Sequence, residues 1–345
     1  MGAEKLEPYQ TGEGPYRIMT FDGGGIRGAF TTQLILRMVN MGLDIGKVRL
    51  FAGTSTGSVI AAALALGQSA EEVAQYYTKE NCRYIFSKKR NPLGLNLLGP
   101  KYSRKPLETY LTGRHGDATF ADLSDREVGL CTGSFKLESS RKHNWLTVFF
   151  HNLQEGWRDP HFDYRNLRVL DAVLASGAAP TYFPSYKIDV QEHVRGDSSC
   201  GKDEDACKCN VMGTYIDGGV VANNPGVAGL AVATSPRNRV KAELEDIRLL
   251  SIGNGMVPKE IKGAPPRGLF GWGKPLLEIL SDAPSDVDNY YCMSILGKQG
   301  YRRIQQDLPK PVVLDSWQEV PYMAQLAADY PEDELQQIIE WFNAE

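Results

Sequence analysis

Val48-Arg-Leu-Phe-Ala52, Gly53-Thr54-Ser55-Thr56-Gly57 and Val59-Ile-Ala-Ala-Ala-Leu-Ala-Leu66 follow one another almost without a break. The first run is short, apolar and strand-like, and the second is a glycine-flanked turn. The third is an apolar run far below the ~18 residues a membrane span needs, so it reads as a buried helix. The same order stands immediately upstream. Tyr16 to Phe21 is β-rich, Gly23-Gly24-Gly25 breaks it, and Ala29 to Met41 carries Phe30, Leu34, Ile35 and Met38 at helical spacing. Two successive strand–turn–helix units predict parallel strands joined by right-handed crossovers, hence an α/β fold.

Further along, Glu127 to Phe135, Trp145 to Phe150, Met212 to Ile216 and Ile247 to Ile252 read as strands. Leu167 to Ser176, ended by Gly177 and Pro180, and Val227 to Ala233 read as helices. Asn91 to Arg104, Asp197 to Asn210 and Pro258 to Pro275 are the least regular stretches. No composition break marks a second domain. The expectation is a flexible N-terminal segment, 1–15, and a single domain over 16–345 with insertions at about 197–210 and 258–275.

With 42% hydrophobic and 23% charged residues in 345, the chain has core material and is not a disordered polymer. A net charge of −4 and a pI near 5.9 argue against a nucleic-acid binder, which needs a basic face. Met1 to Gly14 is polar and lacks the apolar core of a secretory signal. Six cysteines without such a signal read as reduced thiols in a cytoplasmic protein. Cys200, Cys207 and Cys209 crowd one polar stretch with His193 near, but no second Cys-x-x-Cys pair completes a zinc site. No metal is expected.

Gly53-Thr54-Ser55-Thr56-Gly57 fits G-x-S-x-G between a strand and a helix. Such a turn exposes a serine hydroxyl at its tip, beside the free N–H groups of a helix start. The plain alternative is a helix-capping serine. Gly23-x-Gly25-x-x-Gly28 has the spacing of a dinucleotide-binding turn, and equally that of an oxyanion hole made of glycine N–H groups. The ribose-binding acid expected about 20 residues on is poorly matched, because Asp44 precedes its strand. A nucleophilic serine needs a base. His115, His143, His151, His161 and His193 all lack a turn context after a strand. Asp217 ends an apolar strand before Gly218-Gly219, and a buried Asp can serve as base. An ordinary Asp-Gly turn would look the same.

Asp22-Gly-Gly-Gly-Ile-Arg-Gly28, Gly53-Thr-Ser-Thr-Gly57 and Asp217-Gly-Gly219, in this order, resemble a patatin-like phospholipase. Ser176-Gly-Ala-Ala-Pro-Thr-Tyr-Phe-Pro184, Gly219-Val-Val-Ala-Asn-Asn-Pro225 and Leu249-Leu-Ser-Ile-Gly-Asn-Gly255 resemble it too, so the likeness covers roughly residues 16 to 305. The resemblance implies a three-layer α/β fold with a central, mostly parallel sheet and flanking helices. It implies a calcium-independent serine esterase that hydrolyses fatty-acyl esters of phospholipids, with no cofactor. It makes Ser55 the nucleophile and Asp217 the base of a catalytic dyad. Gly23, Gly24, Gly25 and Thr56 would supply oxyanion donors, and Arg27 would bind substrate. Gly28, Gly53, Gly57, Gly218 and Gly219 are the motif glycines.

The implied partner is a phospholipid membrane surface, reached peripherally, and some bacterial relatives are switched on by a cyclic nucleotide. Leu269, Phe270 and Trp272, beside Lys274, suit a lipid–water interface. They equally suit a core cap against a helix beginning near Leu276. Two other readings compete: a dinucleotide-binding oxidoreductase using the Gly23–Gly28 turn, and a non-catalytic storage protein on the same fold.

Overall fold

The computed structural model describes residues 14–87, 99–138, 145–153, 164–189, 211–238, 242–256 and 268–345. The segment 1–13, the 197–210 insert with its three cysteines, and the start of the 258–275 stretch lie outside the described residues. So do His143, His161 and His193.

Eight strands form one sheet: β1 (Tyr16–Phe21), β2 (Val48–Thr54), β3 (Gly129–Lys136), β4 (Leu146–His151), β5 (Tyr186–Ile188), β6 (Gly213–Asp217), β7 (Ile247–Ile252) and β8 (Tyr301–Ile304). The helices up to β5 are α1 (Gly28–Asn40), α2 (Thr56–Ala65), α3 (Ala70–Ala74), α4 (Lys79–Ile85), α5 (Lys105–His115), α6 (Phe120–Asp125) and α7 (Val169–Ser176). After β6 come α8 (Gly226–Thr234), α9 (Gly268–Gly300), α10 (Val320–Ala328) and α11 (Glu332–Asn343).

The strand order is β5-β6-β3-β2-β1-β7-β8, with β4 also on β3. β3, β2, β1, β7 and β8 run parallel to their neighbours in that series, whereas β4 and β6 lie antiparallel to β3, and β5 antiparallel to β6. The fold is therefore α/β with a mixed, mostly parallel central sheet and helices packed on it. The two leading units supply the parallel pair β1 and β2, and the antiparallel strands lie toward the β5 side of the sheet.

Alternation along the strands divides the core between two faces. Met19, Phe21, Phe51 and Leu250 pack on one side, with α1, α2 and α7. Ile18, Leu50, Ala52 and Leu249 pack on the other, with α8 and the end of α9. Being covered on both faces, β1, β2 and β7 are buried nearly throughout, which is why they are runs of apolar residues rather than alternating ones.

One helix differs from expectation. Gly268 to Pro275 lies inside α9, so this helix starts well before Leu276. Glycine and proline lower helix propensity without forbidding a helix held by its tertiary contacts. Its last part packs on α8, β7 and β8.

Candidate active site

Strand β3 acts as the ruler of the site. Its Gly133 pairs with Thr54 at the end of β2, and its next residue, Ser134, pairs with Asp217 at the end of β6. Because β2 is parallel and β6 antiparallel to β3, the two strand ends meet at adjacent registers. Ser55, one residue beyond Thr54, is thereby brought to Asp217. The Ser55 hydroxyl faces the Asp217 carboxylate closely enough to favour its charged form.

Ser55 occupies φ 53°, ψ −120°, a strained conformation for a residue with a side chain. Close packing holds it there. A Cβ on Gly53 would overlap the Gly57 carbonyl, and one on Gly57 would overlap the Phe21 carbonyl. The Ser55 N–H donates to Ser176 Oγ at 2.9 Å, and Ser176 Oγ donates to the Gly133 carbonyl at 2.5 Å. Ser58 closes the other side, its N–H and hydroxyl donating to the Ser55 carbonyl at 3.0 and 2.6 Å. Ser55 is thus fixed by backbone geometry rather than by its own side chain.

Asp217 is buried, and its Oδ1 accepts the Gly219 N–H at 2.7 Å. Gly218 lets β6 end tightly against β3, since a Cβ there would overlap the Gly133 carbonyl. Burial pushes the Asp217 carboxyl up to about 6, opposed by the nearby Ser55 hydroxyl and the hydrogen bond from Gly219. That value suits a base near neutrality. The two described histidines are elsewhere. Buried His115 packs against Tyr76, and His151 lies on β4; desolvation pushes both down to about 4.

The glycine turn between β1 and α1 is pinned carbonyl by carbonyl. Asn254 Nδ2 donates to the Asp22 and Gly23 carbonyls. Arg27 donates to the Gly24 carbonyl through N–H at 3.2 Å and Nε at 3.3 Å, and through Nη1 to the Gly255 carbonyl at 3.0 Å. Thr56 Oγ1 donates to the Gly25 carbonyl at 2.9 Å. Each pinned carbonyl orients the N–H of the following residue, because the peptide unit is planar. The N–H groups of Gly24, Gly25 and Thr56 have no backbone partner among the described residues. Gly23 is different: its N–H is spent on the Asn223 carbonyl at 3.0 Å. Of the expected oxyanion donors, Gly23 is thus one whose N–H is already engaged by the backbone. Arg27, expected to bind substrate, also clamps the turn through these contacts.

Gly25, Ser55 and Thr56 open onto a cavity of about 80 Å³. Its walls are apolar and aromatic: Val59 of α2, Phe86 after α4, Leu107 and Leu111 of α5, Val173 of α7 and Phe183. Buried Asp22, beneath the turn, is bound in bidentate fashion by Arg303 of β8, at 2.5 and 3.2 Å. Arg303, Ser176, Asn254 and Tyr77 are absent from the sequence-derived site because their contacts join distant parts of the chain. Among the described residues no group of three or more His, Cys, Asp or Glu is placed to hold a metal. Nor is any helix among them long and apolar enough to cross a membrane.

Comparison with known proteins agrees with this architecture. A family model described as patatin-like phospholipase matches residues 19–226. CotR of Bacillus subtilis is 32% identical over 260 residues, covering 75% of this chain and 67% of its own. A cGAMP-activated phospholipase of Vibrio cholerae is 29% identical over 292 residues, covering 76% and 72%. Patatin-like protein 2 of Arabidopsis thaliana is 26% identical over 333 residues, covering 84% and 75%. The family match takes in the glycine turn, the Ser55 elbow and Asp217, and sets aside the dinucleotide-binding alternative: the chain belongs to the patatin-like phospholipase family.

Proposed function

We propose that the protein is a lipid acyl hydrolase of the phospholipase A type, working through a Ser55–Asp217 dyad. The observation that carries this reading is a serine at a strained elbow, facing a buried carboxylate whose pKa is pushed up to about 6, beside an apolar cavity. Ser55 Oγ attacks the ester carbonyl while Asp217 takes its proton. The C–O bond to the lysolipid then breaks, and the proton passes to the departing alkoxide. Water, deprotonated by Asp217, attacks the acyl-enzyme and frees the fatty acid, returning the hydrogen to Ser55. The N–H groups of Gly24, Gly25 and Thr56 are the donors for the tetrahedral oxyanion, each such donor typically worth ~3 kcal/mol. The apolar cavity takes the acyl chain.

Peripheral contact with a membrane is part of the same reading. Val287, Tyr290, Tyr291 and Ile295 recur at helical spacing on α9 and are exposed, as is Trp272. Ser285 of that helix bonds Asn223 and Asn224, in the loop that holds the Gly23 N–H. Tyrosine and tryptophan suit the boundary between lipid and water.

The test is fatty-acid release from phosphatidylcholine vesicles by the intact chain. Ser55→Ala and Asp217→Ala should each abolish it with the fold retained, and the double variant should be hardly worse than either. Full activity of Ser55→Ala would overturn the dyad, and a wild type with no turnover on any ester would favour the storage reading. Run with and without cGAMP, the same assay tests whether the activation named for the Vibrio cholerae relative extends to this chain.

A further inference from the structure

Thr56 carries two groups that matter to the site: its N–H, without a backbone partner, and its hydroxyl, bonded to the Gly25 carbonyl at 2.9 Å. The close contact between Thr56 Oγ1 and the Tyr77 hydroxyl can be donated from either side. The same phenol donates to the Thr56 carbonyl at 3.1 Å, so both of its polar contacts are with residue 56. Tyr77, Thr56 and the Gly25 carbonyl are thereby linked side by side.

The Gly25–Ile26 peptide is also held at its other end, where the Ile26 N–H donates to the Leu314 carbonyl at 2.9 Å. Gly25 has φ 58°, and its Cβ position is taken by the Leu314 backbone. The turn therefore has one setting, and the Thr56 hydroxyl joins it to the elbow. A second observation points to the same tyrosine. The last glycine of the Gly23–Gly28 motif leaves room for Tyr77: a Cβ on Gly28 would lie within 2.6–2.9 Å of the Tyr77 ring and Thr56 Oγ1. Burial holds the Tyr77 hydroxyl well above its ordinary pKa, so it stays a donor at any working pH.

We propose that Tyr77 is a positioning residue for ester hydrolysis: by gripping Thr56 it locks the glycine turn to the nucleophile elbow, fixing the oxyanion donors relative to Ser55. This inference rests on the hydrolase reading above. It requires Tyr77 to act on the tetrahedral state and not on the bound, trigonal ester.

The experiment compares Tyr77→Phe, Thr56→Val, Thr56→Ser and the Tyr77→Phe/Thr56→Val double variant on a soluble fatty-acyl ester. Tyr77→Phe keeps the ring and loses the hydroxyl, and should lower kcat about tenfold with KM unchanged. The inhibition constant of an alkyl trifluoromethyl ketone, which forms a tetrahedral adduct on serine, should rise by the same factor. Affinity for free fatty acid should not move. Thr56→Val should match Tyr77→Phe, the double variant should add little, and Thr56→Ser, which keeps a hydroxyl, should recover most of the rate lost in Thr56→Val.

A wild-type kcat and inhibitor constant in Tyr77→Phe, with Ser55→Ala inactive, would remove the role of Tyr77 and leave the dyad standing. A loss appearing in KM and fatty-acid affinity would make Tyr77 a cavity wall only, and also overturn the proposal. If Tyr77→Phe unfolds, Thr56→Val with Tyr77 intact decides by the same split. Activity in Ser55→Ala would instead bring down the underlying reading.

Discussion

At the scale of single residues, Asp217 sets chemistry against stability. Both groups that favour its charged form, the Ser55 hydroxyl and the Gly219 N–H, are uncharged, so nothing there offsets the loss of water as a charged partner would. Its carboxyl rises from 3.8 to about 6 as a result. If it is the base, kcat/KM should fall about tenfold per pH unit below 6 and be flat just above it. The stability consequence has the opposite sense. With a folded pKa above the unfolded one, its favourable contribution is complete below about 4 and is lost as pH rises through 6. By pH 7 the ionised carboxylate costs on the order of 3 kcal/mol. Asp217→Asn keeps the hydrogen bond that Oδ1 accepts from Gly219 and removes the charge. It should be inactive yet harder to unfold in urea at pH 7, by up to that amount, with no gain at pH 4. Equal gains at both pH values would mean that ionisation of Asp217 is not the cause.

At the scale of elements, the Asp22–Arg303 pair ties the end of β1 to β8 across β7. Arg303 Nη1 also donates to Ser251 Oγ of β7 at 2.6 Å, so three parallel strands are joined just under the glycine turn. Removing one member of a buried pair strands the other charge in a dry site. Arg303→Ala should therefore lose about 3–5 kcal/mol in chemical denaturation, and Asp22→Asn added to it should restore part of that. A loss below about 1 kcal/mol would show that water reaches Asp22. This pair also marks the limit of what is legible without coordinates. β7 and the turns around Ser55 and Asp217 read correctly because each is a local pattern, an apolar run ended by glycine. β8 is Tyr-Arg-Arg-Ile and β5 only three residues long, patterns that carry no strand signal. Arg303, Tyr77 and Ser176 gain their roles from register and packing between distant segments. Gly268 to Pro275 misleads for the converse reason, since its glycines and prolines are local breaker signals overruled within a long helix.

At the scale of the whole molecule, the family match ends at residue 226, yet β7 and β8 complete the sheet and the C-terminal helix closes its base. Leu335, Ile339 and Phe342, spaced by four and three residues on α11, are buried in the larger core cluster. The last carbonyls of that helix are capped by basic side chains from the entrances to three strands. Arg17 donates to the Phe342 and Ala344 carbonyls, each at 2.6 Å, Arg248 to Trp341 at 3.0 Å and Lys47 to Asn343 at 3.2 Å. Cations at a helix C-terminus also complement its dipole. Burial of the three apolar side chains alone contributes on the order of 6 kcal/mol. That is comparable with the ~5–15 kcal/mol net stability of a typical folded protein. If residues 16–345 fold as one unit, a chain ending at Pro331 should lose cooperative thermal unfolding and vesicle hydrolysis together, although Ser55 and Asp217 of the proposed dyad are both present. The check is a circular-dichroism melt beside the fatty-acid assay. A truncated chain that melts within a few degrees of the full one and retains turnover would place the boundary of the folding unit before α11.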